Sequence, residues 1–200
     1  GPNWYAPSLR DSAEAGLAEW PVAEIAALLK TGWSGRGHAS GPMAEVVLRS
    51  TQHLNDADLR AMAFYLKSLS AAEQPASPAR ETSAGAATAR SRRGAQLYRD
   101  HCERCHGERG EGVPGAYPAL AGNRAVVMAQ TTNLVQSVLH GGFAPATAGN
   151  PRPFGMPPFV LVLNDADIAA VLSHLRTAWG NSASEVSELD DHKVRAASSR

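Results

Sequence analysis

The stretch Arg93-Gly94-Ala95-Gln96-Leu97-Tyr98-Arg99-Asp100-His101-Cys102-Glu103-Arg104-Cys105-His106-Gly107 decides how this chain is read. It holds both cysteines of the 200 residues. Two thiols about one helical turn apart can each add to a vinyl group of one porphyrin, and the imidazole directly after the second thiol then comes up under the iron. A C-x-x-C-H run is accordingly the attachment signature of c-type haem. The competing readings need features this chain lacks. A thioredoxin-type redox pair wants a preceding strand, whereas Gly94, Leu97, Tyr98 and Cys102 space as a helix. A structural zinc site wants four ligands, and no second cysteine pair exists. A disulfide closing so small a loop would add little stability.

Outward from the motif, the chain divides by composition. Residues 71–91 are Ala, Ser, Thr, Pro and Gly with almost nothing large and apolar, and read as a flexible linker between a segment 1–70 and a segment 92–180; residues 181–200 read as a polar and largely mobile tail, framing at most a short helix over 186–194. Helical spacing is expected from Pro21 to Lys30, over 44–49, from Asn55 to Leu69, from about Arg92 through the motif, from Thr132 or Asn133 to His140, and from Asn164 to Trp179. The fold class is therefore all-α. A formal charge of zero and a pI near 7.2 announce no nucleic acid or anionic lipid as partner. No apolar run approaches the roughly 20 residues that cross a bilayer. Covalent haem attachment takes place outside the cytoplasm, so a periplasmic location is expected.

The two late helices expose a duplication. Leu54-Asn55-Asp56-Ala57-Asp58 and Leu163-Asn164-Asp165-Ala166-Asp167 are the same five residues, and Leu66-Lys67 matches Leu175-Arg176. Leu29-Lys30-Thr31-Gly32 likewise matches Leu139-His140-Gly141-Gly142, at an offset near 110 residues. Residues 3–70 thus repeat the unit at about 115–180, without a counterpart of residues 92–114. The matching haem motif of the first copy would fall upstream of Gly1.

A haem carried by one histidine needs a second axial ligand to serve as an electron carrier. Met156, in Pro151-Arg152-Pro153-Phe154-Gly155-Met156-Pro157-Pro158-Phe159, is the candidate. Most methionines fill cores. This one sits in a loop between a glycine, which lets backbone approach a flat group, and two prolines, which stiffen the segment. Its counterpart in the first copy is Met43, a weaker candidate for a second haem because no motif accompanies it. With both iron faces occupied, the expected chemistry is one-electron transfer at a potential raised by the thioether. Other histidines carry less: His101 and His174 read as helix-surface residues, His140 as a helix end, and His38 as a loop residue. Arg104 and Arg109 can meet a haem propionate or an acidic partner.

Taken together, Gly94, Tyr98, Cys102-x-x-Cys105-His106, Tyr117-Pro118-Ala119-Leu120, Met156 and Trp179 resemble class I cytochrome c. More narrowly, Trp4-Tyr5-Ala6-Pro7-Ser8-Leu9, Gly41-Pro42-Met43-Ala44-Glu45-Val46-Val47, Ser50-Thr51-Gln52 and Tyr65-Leu66-Lys67-Ser68-Leu69 resemble the multihaem cytochrome c subunit of bacterial membrane-associated dehydrogenases. The resemblance implies one haem c tethered by Cys102 and Cys105, with His106 as proximal ligand and Met156 as distal ligand. It also implies that the Pro118 carbonyl accepts from the His106 ring, and that Gly94 and Tyr98 interlock with Leu175 and Trp179. The implied partners are a dehydrogenase catalytic subunit upstream and quinone or the respiratory chain downstream, the subunit itself making no bond to substrate. Two other readings stand beside it: a c-type haem enzyme (peroxidase or sulfur-compound dehydrogenase) with an open iron position, and a docking module built on the haem-less half-domain.

Overall fold

The computed structural model describes residues 3–69 and 84–198, so residues 70–83 of the expected linker lie outside the described residues. The chain forms two compact units: one of residues 1–5, 76–141 and 157–200, the other of residues 6–75 and 142–156.

In the second of these, α1 (Val22–Thr31) follows Pro21, which takes the cap position rather than the first helical one. Gly32 closes the helix in the left-handed region at φ 74°. A hairpin of β1 (Trp33–Ser34) and β2 (Gly37–His38) leads to α2 (Gly41–Arg49) and, past a 3-10 turn at Thr51–His53, to α3 (Asp56–Ser68). Helix α2 begins three residues earlier than expected, because Pro42 in its first turn has its φ already set for a helix. Met43 is thereby helical and 39% exposed instead of lying in a loop. Asn55 caps α3, accepting from the Asp58 N–H at 2.8 Å. Leu17, Trp20, Ile25, Leu29, Leu59 and Ala63 form the core.

This unit also takes in the hairpin of β3 (Gly142–Phe143) and β4 (Gly155–Met156). Thr147 Oγ1 donates to the Thr31 carbonyl at 3.3 Å, and the Pro145 ring occupies the space that a side chain at Gly32 would need. The short strands carry no alternating pattern, so nothing in the sequence announced them.

The other unit is built on α4 (Ala84–His101) packed along α8 (Asp165–Thr177). Helix α4 starts eight residues before the expected Arg92. The Ala-rich run read as linker supplies the best helix formers, and Arg90 bonds Glu185 at 3.0 Å. After α5 (Glu103–His106) come α6 (Arg124–Val127) and α7 (Thr132–His140). The expected cap of α7 is absent: the cap position is Thr131, without a side-chain bond. Asn133 instead pairs with the Tyr5 backbone, accepting from its N–H and donating to its carbonyl, each at 2.8 Å. Asn164 caps α8 from the Asp167 N–H at 2.9 Å.

The tail does not behave as a loose polar end. Helix α9 (Glu188–Ser198) packs on α7 and α8, Val186 is 1% exposed, and Arg176 Nε donates to the Ser184 carbonyl at 2.6 Å. The sequence misled here because a single apolar residue, Val186, and hydrogen bonds to backbone do the anchoring, neither of which raises local hydrophobicity.

The duplication has a chemical echo. Arg176 Nη1 donates to the Val126 and Met128 carbonyls, both at 2.7 Å. Lys67, 109 positions earlier, donates to the Ala18 and Trp20 carbonyls at 2.5 and 2.8 Å. In each copy a cation at the end of the capped helix gathers two alternate carbonyls of an earlier segment, the end of α6 in one case and the turn before α1 in the other. The copies differ in cover: Val171 and Ser173 on α8 are 2% and 3% exposed, whereas their α3 counterparts Met62 and Phe64 are 38% and 67% exposed.

Candidate functional site: the Cys-x-x-Cys-His turn

Helix α4 ends where the Cys102 N–H bonds the Tyr98 carbonyl at 2.8 Å, and the chain tightens into α5 with the His106 N–H on the Cys102 carbonyl at 3.0 Å. One continuous helical path thus carries Gly94, Tyr98, both thiols and His106. Gly94 sits where any Cβ would run into the Ala170 carbonyl and the His174 side chain, so glycine is what lets α4 lie on α8. The Tyr98 ring packs 4.8 Å from Trp179, and its hydroxyl donates to the Gly107 carbonyl. The expected interlock of Gly94 and Tyr98 is therefore met by Ala170, His174 and Trp179; Leu175 is simply buried.

His106 is fixed from behind. Its Nδ1 lies 2.9 Å from the Pro118 carbonyl, which has no proton to give, so Nδ1 carries the ring proton and Nε2 presents the lone pair. Burial holds the imidazole below the ordinary histidine value, and the Pro118 bond opposes this only in part. The ring is thus a neutral donor at physiological pH. Glycines shape the loop that delivers Pro118: Gly110 and Gly112 both have positive φ, at 66° and 67°, and a Cβ on Gly112 would strike the Tyr117–Ala119 backbone.

The thiols are free and half-buried. Burial, with Cys105 beside it, pushes Cys102 up to about 11, so in the chain without a bound group it is a thiol and a poor nucleophile, unlike the activated cysteine of a redox pair. Among the described residues no group of three or more His, Cys, Asp or Glu is placed to hold a metal ion, which disposes of the zinc reading there. Tyr117 pairs with Cys105; burial and that pairing raise its hydroxyl pKa. This is a partner that sequence spacing did not reveal. The donor set of two thiols, one neutral imidazole with Nε2 uncommitted, and a carbonyl that fixes its tautomer fits a covalently tethered haem.

The remaining candidates are carried by other elements or are exposed side chains near the turn. Met156 is on β4, paired with Gly142, in the segment grouped with the other unit; the ring of Phe143 covers Gly155 beside it. Met43 is on α2. His101, Arg104 and Arg109 are exposed, and His38 packs its ring 5.8 Å from that of Trp33. His140 is exposed at the end of α7, whereas His174 is no surface residue: it is half-buried between Tyr98 and Trp179.

The family model for cytochrome c matches residues 91–179, and cytochrome c-552 of Thermus thermophilus is 36% identical over 91 residues, which cover 69% of that protein and 44% of this chain. The chain belongs to the cytochrome c family. The matched stretch runs from within α4 to Trp179, and the fold is the mostly helical one that the motif and helices predicted. Larger cytochrome c proteins match more of the chain. The cytochrome c subunit of alcohol dehydrogenase (quinone) from Gluconobacter oxydans is 38% identical over 200 residues, covering 96% of this chain and 41% of the relative. The gluconate 2-dehydrogenase cytochrome c subunit of Pantoea cypripedii is 34% identical over 186 residues, covering 90% and 42%. The chain spans about two fifths of the length of these dehydrogenase subunits. No helix among the described residues is long and apolar enough to cross a membrane.

Proposed function

We propose that this cytochrome c carries single electrons from a dehydrogenase catalytic subunit towards quinone or the respiratory chain, in the periplasm, and that it performs no catalysis on substrate itself. The observation that carries the reading is His106, held neutral with Nε2 directed by the Pro118 carbonyl, directly after two free thiols within the matched cytochrome c region. Cys102 and Cys105 would tether one haem c, His106 would bind its iron, and Met156, which lies within the same matched stretch, would be the sixth ligand. When bound, such a haem supplies a reversible one-electron couple without an open iron position. The protein's part would be to hold His106 in one tautomer through Pro118 and to offer a thioether from Met156. Similarity to the cytochrome subunits of alcohol and gluconate dehydrogenases supports the choice of partner.

The test is a reduced-minus-oxidised visible spectrum of the full chain matured in a periplasm, with haem counted per chain and carbon monoxide added to the reduced form. One haem, a far-red thioether band and no carbon monoxide complex support the assignment. A carbon monoxide complex would place the protein among haem enzymes with an open position, and a second haem would recruit Met43.

A further inference from the structure

Helix α9 lies beyond the stretch matched by the cytochrome c model, yet it is fastened at two points. Arg195 donates from Nε to Asp165 Oδ1 at 2.6 Å, from Nη1 to the Val160 carbonyl at 2.8 Å and from Nη2 to the Leu163 carbonyl at 2.8 Å. One guanidinium thus grips both ends of the Val160–Leu163 segment and the start of α8. That segment continues from Phe159, which is buried and whose ring lies 5.7 Å from that of His101, the residue before Cys102. The gripped segment is thus joined, through Phe159, to the end of the helix that leads into the haem-attachment turn.

The second point is Asp191, 1% exposed with neither carboxylate oxygen hydrogen-bonded. Its charged surroundings are adverse. Glu188 and Asp190 on α9 and Asp165 at the start of α8 share its sign; Arg195 is committed to Asp165 and two carbonyls, and the imidazole of His192, the residue after Asp191, lies 3.1 Å from the other Asp165 oxygen. Helix α7, also packed on α9, offers no ionisable side chain before the exposed His140 at its end. A buried carboxylate with no partner is strongly disfavoured, so the seated helix requires the neutral acid.

We propose that α9 is a proton-held strap: with Asp191 neutral it seats on α7 and α8 and Arg195 clamps Val160–Leu163, and loss of that proton lifts the helix and frees the segment that follows Phe159. The strap rests on the tail's own geometry; its bearing on the iron site rests on the haem reading above.

The sign follows from linkage. Burial, then the neighbouring carboxylates, push Asp191 up to about 8 when seated. A released Asp titrates near about 3.9. Between those values each release sheds one proton, so opening becomes about tenfold easier per pH unit and levels off above the seated value. The test is amide hydrogen exchange on the haem-loaded chain, corrected for intrinsic rates. Protection of the α9 amides is expected to fall about a hundredfold from about pH 5.5 to about pH 7.5, and to stay level in Asp191→Asn. The Val162 and Leu163 amides, which donate to the Phe159 carbonyl, follow the same course. Arg195→Gln unprotects those two at every pH while α9 keeps its slope. A flat wild-type profile, the same slope in Asp191→Asn, or unchanged Val162 and Leu163 protection in Arg195→Gln would each overturn the strap. Visible spectra of the same samples separate the two ideas, since a chain with the slope but without the far-red thioether band counts against the Met156 assignment alone.

Discussion

Gly94 and His174 show how much of the crossing of α4 and α8 depends on two positions. A methyl group at Gly94 meets a backbone carbonyl, which cannot swing aside, so Gly94→Ala is expected to cost about 1–3 kcal/mol in overpacking, read as a lower urea midpoint with unchanged slope. His174, half-buried between Tyr98 and Trp179, is held below the ordinary histidine value by burial and then by Arg99. The unfolded chain therefore takes up this proton first as pH falls from about 6.5, and stability drops through that window until the folded ring also protonates. The urea midpoint of His174→Gln should fall less between pH 7 and pH 5 than that of the parent. At this scale the sequence was informative wherever covalent order fixes chemistry. Cys102, Cys105 and His106 were legible because spacing alone sets their mutual placement. The environment of His174 was not, because its neighbours are supplied by another helix, α4, and by a residue after the end of its own.

The paired caps allow one element to serve as a control for the other. Asn164→Ala removes the bond to the Asp167 N–H and should cost about 1 kcal/mol, and Asn55→Ala should do the same at α3. Exchange protection should fall at the first turn of the mutated helix and not at its twin. Both caps could be read directly, since an Asn before Asp-Ala-Asp states its role in the sequence. Helix α4 upstream of Arg92 and helix α9 could not. The first was hidden because alanine serves linkers and helices alike, and the second because it is held by Arg195, Val186 and the carbonyls of other segments rather than by an apolar stripe. The cation at the end of each capped helix was visible as a repeated Leu-Lys or Leu-Arg pair. That Lys67 and Arg176 both gather two alternate carbonyls emerges only in three dimensions.

Across the whole molecule, the repeat predicted two related halves, and two compact units are present, though not cut where the repeat would cut them. Residues 142–156 belong with residues 6–75, because Pro145 and Thr147 find their partners at Gly32 and Thr31. Such partners are non-local and leave no periodic trace. The difference in cover between α8 and α3 has a practical outcome. Phe64 and Tyr65 stand 67% and 64% exposed, with Met62 beside them, where the twin helix keeps its positions dry. Exposed aromatic side chains of this size favour self-association. Phe64→Ser combined with Tyr65→Thr should raise the concentration at which purified protein begins to scatter light while leaving the melting temperature nearly unchanged. For anyone handling this chain at high concentration, the exposed aromatic rings on α3 add to the association that a net charge of zero already permits.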